Sequence, residues 1–413
     1  MISDLLAQML VVVRDSKWYP DIAHVDPSCK DSQVCIGGRT YHNFSSNNYL
    51  GLAQHPAVLE AAREGLLTSG FGSGGSRLTA GSNYWHRALE ERIAVFKGSE
   101  DAVVFSCGYL ANTGILPALT GATLRSGIIA LNRESRHIFQ PIDFFADKLV
   151  HASIIDGISL AASKNSKRAI TIQMYQHRDL VHLERLLSKS ETQHKLIITD
   201  GVFSLHGRIA PLGDIILLAK RYGAEVYVDD AHGVGVLGES GRGTAEHFGV
   251  EHDVSFHVGT LSKALGGSGG YVAGTAALCD YLRIASRTYV FQTAMSSSMA
   301  SGLIKAIELI EEEPERRERL LTKAAYVREN LIRLGFDIFD SVTQIIPVKF
   351  GETARAKKAA EYLFRKGFFA PCYYYPAVRQ DEAMVRLNIA ATHSQYQLDF
   401  LLEVLDEARK KFA

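Results

Sequence analysis

Residues 256–274 read FHVGTLSKALGGSGGYVAG and carry one lysine, Lys263, between a β-rich start and a run of small residues. A lysine between a strand end and a glycine-rich turn can bring its amine close to another backbone or to a flat ligand. Burial at such a place lowers the pKa of the amine toward that of a nucleophile or base. A solvated loop lysine is the commoner case, so the rest of the chain must decide between the two interpretations.

Short β-rich runs alternate with helical stretches through the middle of the chain. The predicted strands cover residues 102–105, 142–146, 196–199, 225–228 and 255–258, and helices are predicted between them. This alternation predicts an α/β fold with a large, mostly parallel sheet that helices cover on both faces. Ligands of such sheets bind at the carboxyl ends of the strands, so we expect the functional site there.

The pattern divides the 413 residues into three parts. Residues 1–52 form an N-terminal segment of helix and hairpin, residues 53–295 a large α/β domain, and residues 296–413 a smaller C-terminal α+β domain. Within the first part, Gly37 and Gly38 predict a two-residue hairpin turn.

The N-terminal apolar run, residues 5–13, predicts an amphipathic helix that packs on the protein. The run is too short to span a bilayer, Asp4 precedes it, and no small-residue cleavage site follows. We therefore expect no membrane span and a cytoplasmic location.

Composition narrows the classes of partner. Lys+Arg and Asp+Glu both number 45, and no basic stripe occurs, so we expect small-molecule substrates and no nucleic acid. The cysteines form no CxxC pair and have no zinc-ligand spacing, which predicts free thiols in a reducing compartment and no metal site. These cysteines are Cys29, Cys35, Cys107, Cys279 and Cys372.

Polar side chains follow consecutive predicted strands at one edge of the sheet. A glycine turn opens a helix at Cys107 to Leu110, where free backbone N–H groups can hold a phosphate. The later strand ends deliver His151, Ser204, Asp229 with His232, and finally Thr260 with Lys263.

Each of these groups has an ordinary structural alternative, such as a capping aspartate, a core histidine or a turn serine. Together they suit pyridoxal phosphate, which needs a lysine for a Schiff base, an acid beside its ring nitrogen and a phosphate anchor.

The sequence resembles the α-oxoamine synthases, which are fold-type I pyridoxal phosphate enzymes. The resemblance runs in order from about residue 40 to 405 and is strongest to the biotin-pathway branch, the 8-amino-7-oxononanoate synthases. It rests on the motifs SNNYLGL, GSGGSRLTAGS, FSCGYLAN, VHASIIDG, TDGVFSLHG, VDDAHGVGVLGESGRG and GTLSKALGG.

The resemblance implies roles for the residues around the cofactor ring. Lys263 would hold pyridoxal phosphate as a Schiff base and later move the Cα proton of the substrate. Asp229 would pair with the pyridine nitrogen, and His151 would stack on the ring face. His232 and Ser204 would hydrogen-bond near the ring oxygen.

It also implies the residues that hold the phosphate and the amino acid. Asn47 and Arg386 would orient the amino acid, with Arg386 gripping its carboxylate. Thr293 would reach the phosphate of a neighbouring subunit, so the protein would be a homodimer with a shared active site. Gly108, Tyr109 and Thr260 would surround the phosphate, and Ser106 and Cys107 would also contact the cofactor.

The implied reaction is the decarboxylative condensation of an amino acid with an acyl thioester, carried by coenzyme A or a carrier protein, to give an α-amino ketone. Alanine with a pimeloyl thioester is the best single pair. The alternatives are an α-oxoamine synthase of a secondary or sphingolipid-type pathway with another amino acid and a fatty acyl group, an aminotransferase on the same fold, and a non-catalytic partner subunit. Retention of Lys263, Asp229 and His151 speaks against the last.

Three departures from the biotin-pathway pattern leave the acyl donor open. An extra stretch occupies residues 123–140, which is either a surface loop or a segment that reshapes the acyl path. Tyrosines stand at residues 373–375 where that branch carries an arginine and prolines. Ser296 and Ser297 replace paired prolines, and His206 replaces an aspartate.

Overall fold

The computed structural model describes residues 1–15, 22–26, 29, 32–121, 140–163 and 170–412. The extra stretch at residues 123–140 therefore lies outside the described residues, except for Gln140.

A seven-stranded sheet forms the centre of the molecule, in the order β3-β9-β8-β7-β6-β4-β5. All neighbouring pairs are parallel except those of β9, which is antiparallel to both β3 and β8. The predicted mostly parallel sheet is thus present. Its strands are β3 (Asp101–Phe105), β4 (Ile142–Asp147), β5 (Ile170–Tyr175), β6 (His194–Asp200), β7 (Ala224–Asp229), β8 (Phe256–Thr260) and β9 (Gly270–Gly274).

Helices cover the sheet because its strands are apolar on both faces. Every residue of β3 and of β8 is buried, and separate apolar clusters lie on the two sides of the sheet. The helices up to the end of this region are α2 (Pro56–Ser69), α3 (Tyr84–Lys97), α4 (Gly108–Leu119), α5 (Ala152–Ser163), α6 (Leu180–Leu187), α7 (Leu212–Tyr222), α8 (Thr244–Phe248), α9 (Ala276–Ala285) and α10 (Arg287–Val290).

The C-terminal residues form a smaller layer of helices and short strands. Strands β10 (Ile345–Gly351), β13 (Ala383–Asn388) and β12 (Cys372–Tyr373) make a three-stranded antiparallel sheet. The remaining elements are α11 (Ser297–Glu312), α12 (Pro314–Arg333), α13 (Thr353–Arg365), β11 (Phe368–Phe369) and α14 (Gln395–Phe412).

The predicted N-terminal hairpin is present and joins this C-terminal layer. Strand β1 (Gln33–Ile36) pairs antiparallel with β2 (Arg39–Asn43), and β2 pairs in parallel with β11. Gly37 and Gly38 have φ of 57° and 74°, which glycine adopts without a steric penalty and which the two-residue turn requires. The division of the chain at residues 52 and 295 stays a prediction.

The N-terminal helix is correctly predicted, but its predicted packing is wrong. Helix α1 (Ile2–Asp15) forms over the apolar run, yet none of its residues is buried. An amphipathic pattern determines where a helix forms and which face is apolar, but it does not determine what covers that face. No helix of the described residues is both long and apolar enough to cross a bilayer.

The prediction that all cysteines are free thiols is also wrong. Cys29 and Cys35 form a disulfide, with their Cα atoms 6.0 Å apart. Residue 26 pairs with Cys35 as an isolated bridge next to the hairpin, and this pairing brings the segment that carries Cys29 back alongside β1. Cys107, Cys279 and Cys372 are free.

Candidate active site

A cavity of about 200 Å³ opens at the carboxyl edge of the central sheet. Its walls are the ends of β6, β7 and β8 and the starts of α4 and α5, as the parallel topology requires. The predicted site residues that line it are Cys107, Gly108, Tyr109, His151, Ser204, Asp229, His232, Thr260 and Lys263.

Lys263 follows β8 and directs its amine at the imidazole of His232, with Nζ 2.8 Å from Nε2. Burial lowers the pKa of Lys263 to about 8, and the cation of Arg386 adds to that effect, while Asp229 and Asp200 oppose it. A pKa near 8 leaves a substantial fraction of the amine neutral and nucleophilic at neutral pH.

His232 is held on its other side by a phenol that the sequence analysis did not single out. Nδ1 of His232 lies 2.7 Å from the hydroxyl of Tyr49, which in turn donates to Oδ1 of Asn47 at 3.1 Å. Burial, with the nearby Lys263 second, lowers the pKa of His232 well below its ordinary value, so the ring is neutral. The predicted substrate residue Asn47 is thereby linked to the predicted cofactor lysine.

Asp229 ends β7 with both carboxylate oxygens partnered. Oδ1 accepts the backbone N–H of Ala231 at 3.1 Å, and Oδ2 accepts Nδ2 of Asn112 at 2.7 Å. Each oxygen can accept a second hydrogen bond, so the carboxylate can still receive a protonated ring nitrogen. Neither of these two partners carries a positive charge.

A second carboxyl group, Asp200, stands opposite Asp229 in the register of β6 and β7. Burial, and then the charge of Asp229, raises the pKa of Asp200 well above its ordinary value. Its Oδ1 accepts the backbone N–H of His151 at 3.2 Å.

His151 precedes α5 and lines the cavity between β6 and α4. Its Nδ1 lies 2.7 Å from the hydroxyl of Ser153 and also accepts the backbone N–H of Ser153 at 3.3 Å. Burial lowers the pKa of His151, which favours the neutral ring.

The start of α4 fits a phosphate. Its N-cap, Cys107, makes no side-chain capping bond, so the first backbone N–H groups of the helix face the cavity with the positive end of the helix dipole. A Cβ on Gly108 would lie 3.3 Å from Cβ of Thr260, and one on Gly270 would lie 2.5 Å from Cα of Gly108. These glycines let strand, turn and helix approach closely enough to form one cradle.

Arg386, on β13, offers unused donors. Its side chain is buried, and neither Nε nor Nη2 has a hydrogen-bond partner among the described residues. A buried guanidinium with free donors suits a carboxylate, which it can bind through two parallel hydrogen bonds. Its Cζ lies 5.9 Å from the ring centre of Tyr373, one of the tyrosines that depart from the biotin-pathway pattern.

Two predicted cofactor residues lie outside this cavity. The hydroxyl of Ser106 donates to the backbone carbonyl of Thr293 at 3.2 Å, and Thr293 also forms an isolated bridge with Ser76. Ser106 and Thr293 line a separate small hollow with Arg77 and His86. The chain therefore does not bring either residue to its own Lys263.

The sequence analysis did not single out several polar residues that contact the predicted site residues. Tyr49, Asn112 and Ser153 all contact a predicted site residue, yet each is a single polar residue in an ordinary element. Asn112 stands four residues after Gly108, so helical spacing was the available signal that both face the same side of α4.

The geometry agrees with what is found among known proteins. Residues 39–405 match the family described as aminotransferase class I and II. The 8-amino-7-oxononanoate synthase 1 of Bacillus subtilis (strain 168) is 39% identical over 409 residues, which cover 99% of this chain and 98% of that relative. The 8-amino-7-oxononanoate synthase of Citrifermentans bemidjiense is 42% identical over 383 residues, which cover 92% of each. The chain belongs to the α-oxoamine synthase family.

Solved structures agree with this membership. A serine palmitoyltransferase from S. paucimobilis with bound PLP-myriocin aldimine has a TM-score of 0.88 and 28% identity, over 99% of this chain and 98% of that one. The 8-amino-7-oxononanoate synthase from Francisella tularensis has a TM-score of 0.72 and 25% identity, over 90% of this chain and 98% of that one.

The family confirms three predictions from the sequence. The protein has the fold-type I architecture, it depends on pyridoxal phosphate, and it is an enzyme of the decarboxylating acyltransferase class. The roles of individual residues remain proposals. Within the described ranges, no three His, Cys, Asp or Glu side chains are grouped so that they could hold a metal ion.

Proposed function

We propose that this protein joins L-alanine to a pimeloyl thioester with release of CO2 and the free thiol, the reaction that gives 8-amino-7-oxononanoate for biotin biosynthesis. The observation that carries the proposal is the placement of a lowered-pKa amine, Lys263, in one cavity with Asp229, His151 and the start of α4. The full-length similarity to the biotin-pathway enzymes supports the choice of substrates.

Pyridoxal phosphate, when bound, supplies an electron-accepting ring that stabilises the carbanion at the substrate Cα. Lys263 would hold the cofactor through its amine, and the same amine would accept the Cα proton of the amino acid. Asp229 keeps the ring nitrogen protonated, and the backbone N–H groups at Gly108 and Tyr109 hold the phosphate. His151 stacks on the ring face.

The amino acid is oriented from the C-terminal layer. Arg386 binds its carboxylate through the free Nε and Nη2, and Asn47 contributes an amide from the segment after β2. His232 and Ser204 contact the cofactor near its ring oxygen. Water is limited on the inner side of the cavity because His232 and Asp200 are buried.

A second candidate is the same reaction with serine or another amino acid and a fatty acyl group. Two observations favour it. One is the high structural similarity to serine palmitoyltransferases, and the other is the tyrosines at residues 373–375, which replace the residues of the biotin-pathway branch and of which Tyr373 lies beside Arg386. Each candidate also leaves two acyl carriers to distinguish, coenzyme A and a carrier protein.

The substrates are decided by a matrix assay. The pyridoxal phosphate-loaded enzyme is given alanine, serine or glycine with pimeloyl or palmitoyl thioesters of coenzyme A and of a carrier protein, and each product is identified by mass. The largest kcat/KM for alanine with a pimeloyl donor supports the first proposal. A larger kcat/KM for a fatty acyl donor with another amino acid supports the second candidate instead. Lys263→Ala serves as the inactive control.

We also propose a homodimer in which Thr293 of one chain completes the phosphate site of the other. Thr293 lies outside the cavity of its own chain, and this placement supports the proposal. Mixing Lys263→Ala chains with Thr293→Ala chains should restore activity that neither has alone, because one mixed site then contains both native residues. Unrestored activity in verified mixed dimers contradicts the shared site.

A cytoplasmic location is proposed from the names of the relatives, which are those of bacterial biosynthetic enzymes. The Cys29–Cys35 disulfide is the feature that opposes it, because reducing compartments keep thiols free. Alkylation of intact cells should label both cysteines if the protein is cytoplasmic, and complete protection of both contradicts the proposal.

A further inference from the structure

Asn112 connects the two groups that are proposed to surround the cofactor ring. It lies on α4, is 1% exposed, and donates from Nδ2 to Oδ2 of Asp229 at 2.7 Å and to the hydroxyl of Ser153 at 2.8 Å. Its Oδ1 accepts the hydroxyl of Tyr227. Only the NH2 group of the amide can donate to a carboxylate, so the orientation of the side chain is fixed by its partners.

Ser153 passes this connection on to His151. The backbone N–H of Ser153 can only donate, so Nδ1 of His151 must present its lone pair, and the proton of the neutral ring resides on Nε2. The hydroxyl of Ser153 accepts from Asn112 and donates to the same Nδ1. One amide therefore contacts a carboxylate on one side and, through the hydroxyl of Ser153, an imidazole on the other, while the backbone N–H of Ser153 fixes the tautomer of that imidazole.

The close approach of α4 and α5 depends on a glycine at the same level. A Cβ on Gly157 would lie 2.7 Å from the backbone oxygen of Asn112. The absence of that Cβ allows α5 to approach α4 closely enough for Ser153 to reach the amide. Asn112 also stands one helical turn after Gly108, so α4 carries the proposed phosphate anchor and this connection on one face.

We propose that Asn112 is a positioning residue that couples the carboxylate of Asp229 to the imidazole of His151 through Ser153. A neutral amide orients Asp229 without cancelling its charge, which leaves that charge available to the protonated ring nitrogen. The inference rests on the proposed function, because the contacts of Asp229 and His151 with the cofactor ring are themselves part of that proposal.

Other ionisable groups act on Asp229 or His151, and they are the same in the wild type and in every variant below. A change in the titration of the bound cofactor can therefore be assigned to the substituted residue. These groups are Asp156, Asp200, Asp230, Tyr227, Tyr271, His232 and Lys263.

The test compares Asn112→Leu, Ser153→Ala and the double variant in the pyridoxal phosphate-loaded protein. For each, the absorbance of the bound cofactor is titrated with pH, and kcat and KM are measured with alanine and a pimeloyl thioester. We expect the midpoint of the titration to move by about one pH unit or more in Asn112→Leu. We expect kcat to fall about 10–100-fold with little change in KM, the usual cost of losing a hydrogen-bond partner behind a ligating group.

Coupling predicts that the two substitutions are not additive, so the double variant should resemble Asn112→Leu alone. Ser153→Thr keeps a hydroxyl and should restore the midpoint that Ser153→Ala moves. Ser159→Ala, on the exposed side of the same helix, is the matched control and should leave both readouts unchanged. If Asn112→Leu does not fold, the inference is tested by Ser153→Ala and Ser153→Thr alone, and equal midpoints in these two variants overturn it.

An unchanged midpoint in Asn112→Leu, or strictly additive effects, overturns the inference. The absorbance readout needs only the cofactor, so it separates this inference from the choice of substrates. If the midpoint shifts but the protein makes no amino ketone, the proposed reaction is refuted and the coupling through Asn112 is supported. If the wild-type protein binds no pyridoxal phosphate, both the proposed reaction and the coupling are refuted.

Discussion

The hydroxyl oxygen of Tyr49 lies 2.7 Å from Nδ1 of His232. Because the other nitrogen of the same imidazole lies 2.8 Å from Nζ of Lys263, the phenol fixes how His232 meets the amine. The segment after β2 thus orients the nearest neighbour of the cofactor lysine, although its sequence contains no charged residue that would suggest such a role.

Tyr49→Phe should lower kcat about tenfold while the protein keeps its cofactor. The substitution removes the hydrogen bonds of the hydroxyl with His232 and Asn47. The loss of the bond that orients His232, worth ~1–1.5 kcal/mol, sets the expected effect on kcat, because 1.4 kcal/mol corresponds to about a factor of ten. Steady-state kinetics of the loaded enzyme measure the effect. Tyr271→Phe is the matched control, because that buried hydroxyl has no hydrogen-bond partner among the described residues. Equal kcat in both variants would show that Tyr49 does not orient His232.

Cofactor-free protein should capture pyridoxal phosphate faster as the pH rises through about 8. Only the neutral amine of Lys263 attacks the aldehyde, and burial lowers the pKa of that amine to about 8. Rapid mixing at a series of pH values, followed by the absorbance of the bound cofactor, gives the midpoint. A midpoint near the ordinary lysine value of about 10.4 would contradict the buried, low-pKa amine.

Asp200→Asn should stabilise the cofactor-free protein, and increasingly so as the pH rises. Burial and the charge of Asp229 raise the pKa of Asp200, so above its ordinary value the unfolded chain releases a proton that the folded chain retains. Wild-type stability therefore falls with rising pH until the pKa of the folded protein is passed, by up to ~1.36 kcal/mol per pH unit, and the neutral amide removes that loss.

Denaturant unfolding at several pH values measures this difference. Asp381→Asn makes the same exchange at an exposed carboxyl group and is the control. A stability difference for Asp200→Asn that shrinks as the pH rises would refute the prediction.

Arg386→Lys should raise the KM for the amino acid about 10–100-fold and leave cofactor binding unchanged. Lysine keeps the positive charge but cannot supply the two parallel donors that the free Nε and Nη2 offer to a carboxylate. Arg379→Lys makes the same exchange at an exposed position seven residues earlier and should behave as the wild type. If both variants keep the wild-type KM, the amino acid carboxylate binds elsewhere.

The large sheet was predictable because most of its strands are continuous apolar runs at the centre of the fold. Strands β3, β6, β7 and β8 were each found within one or two residues of their bounds. Strand β5 was missed because its ITIQMY sequence is only partly buried, whereas β3, at the other edge of the sheet, is buried throughout. A strand that is covered on both faces gives a continuous apolar run, and β5 lacks that run because several of its residues are exposed or half-buried.

The sequence could not supply which side chains and which faces come into contact. The Cys29–Cys35 disulfide depends on the chain before the hairpin folding back beside β1. The exposure of α1 depends on the rest of the fold, which leaves this helix uncovered. At the site, the reactive residues at strand ends were predictable from topology. Asn112 was not, because its role depends on contacts with Asp229 and Ser153 from two other elements.

The central claim is that the enzyme makes a carbon–carbon bond and releases CO2. The direct measurement supplies alanine labelled at the carboxyl carbon with a pimeloyl thioester and counts labelled CO2, free thiol and amino ketone in the same reaction. We predict equal amounts of the three in the loaded wild type and none in Lys263→Ala. Consumption of alanine to a keto acid, with the label retained and no thiol released, would contradict the claim.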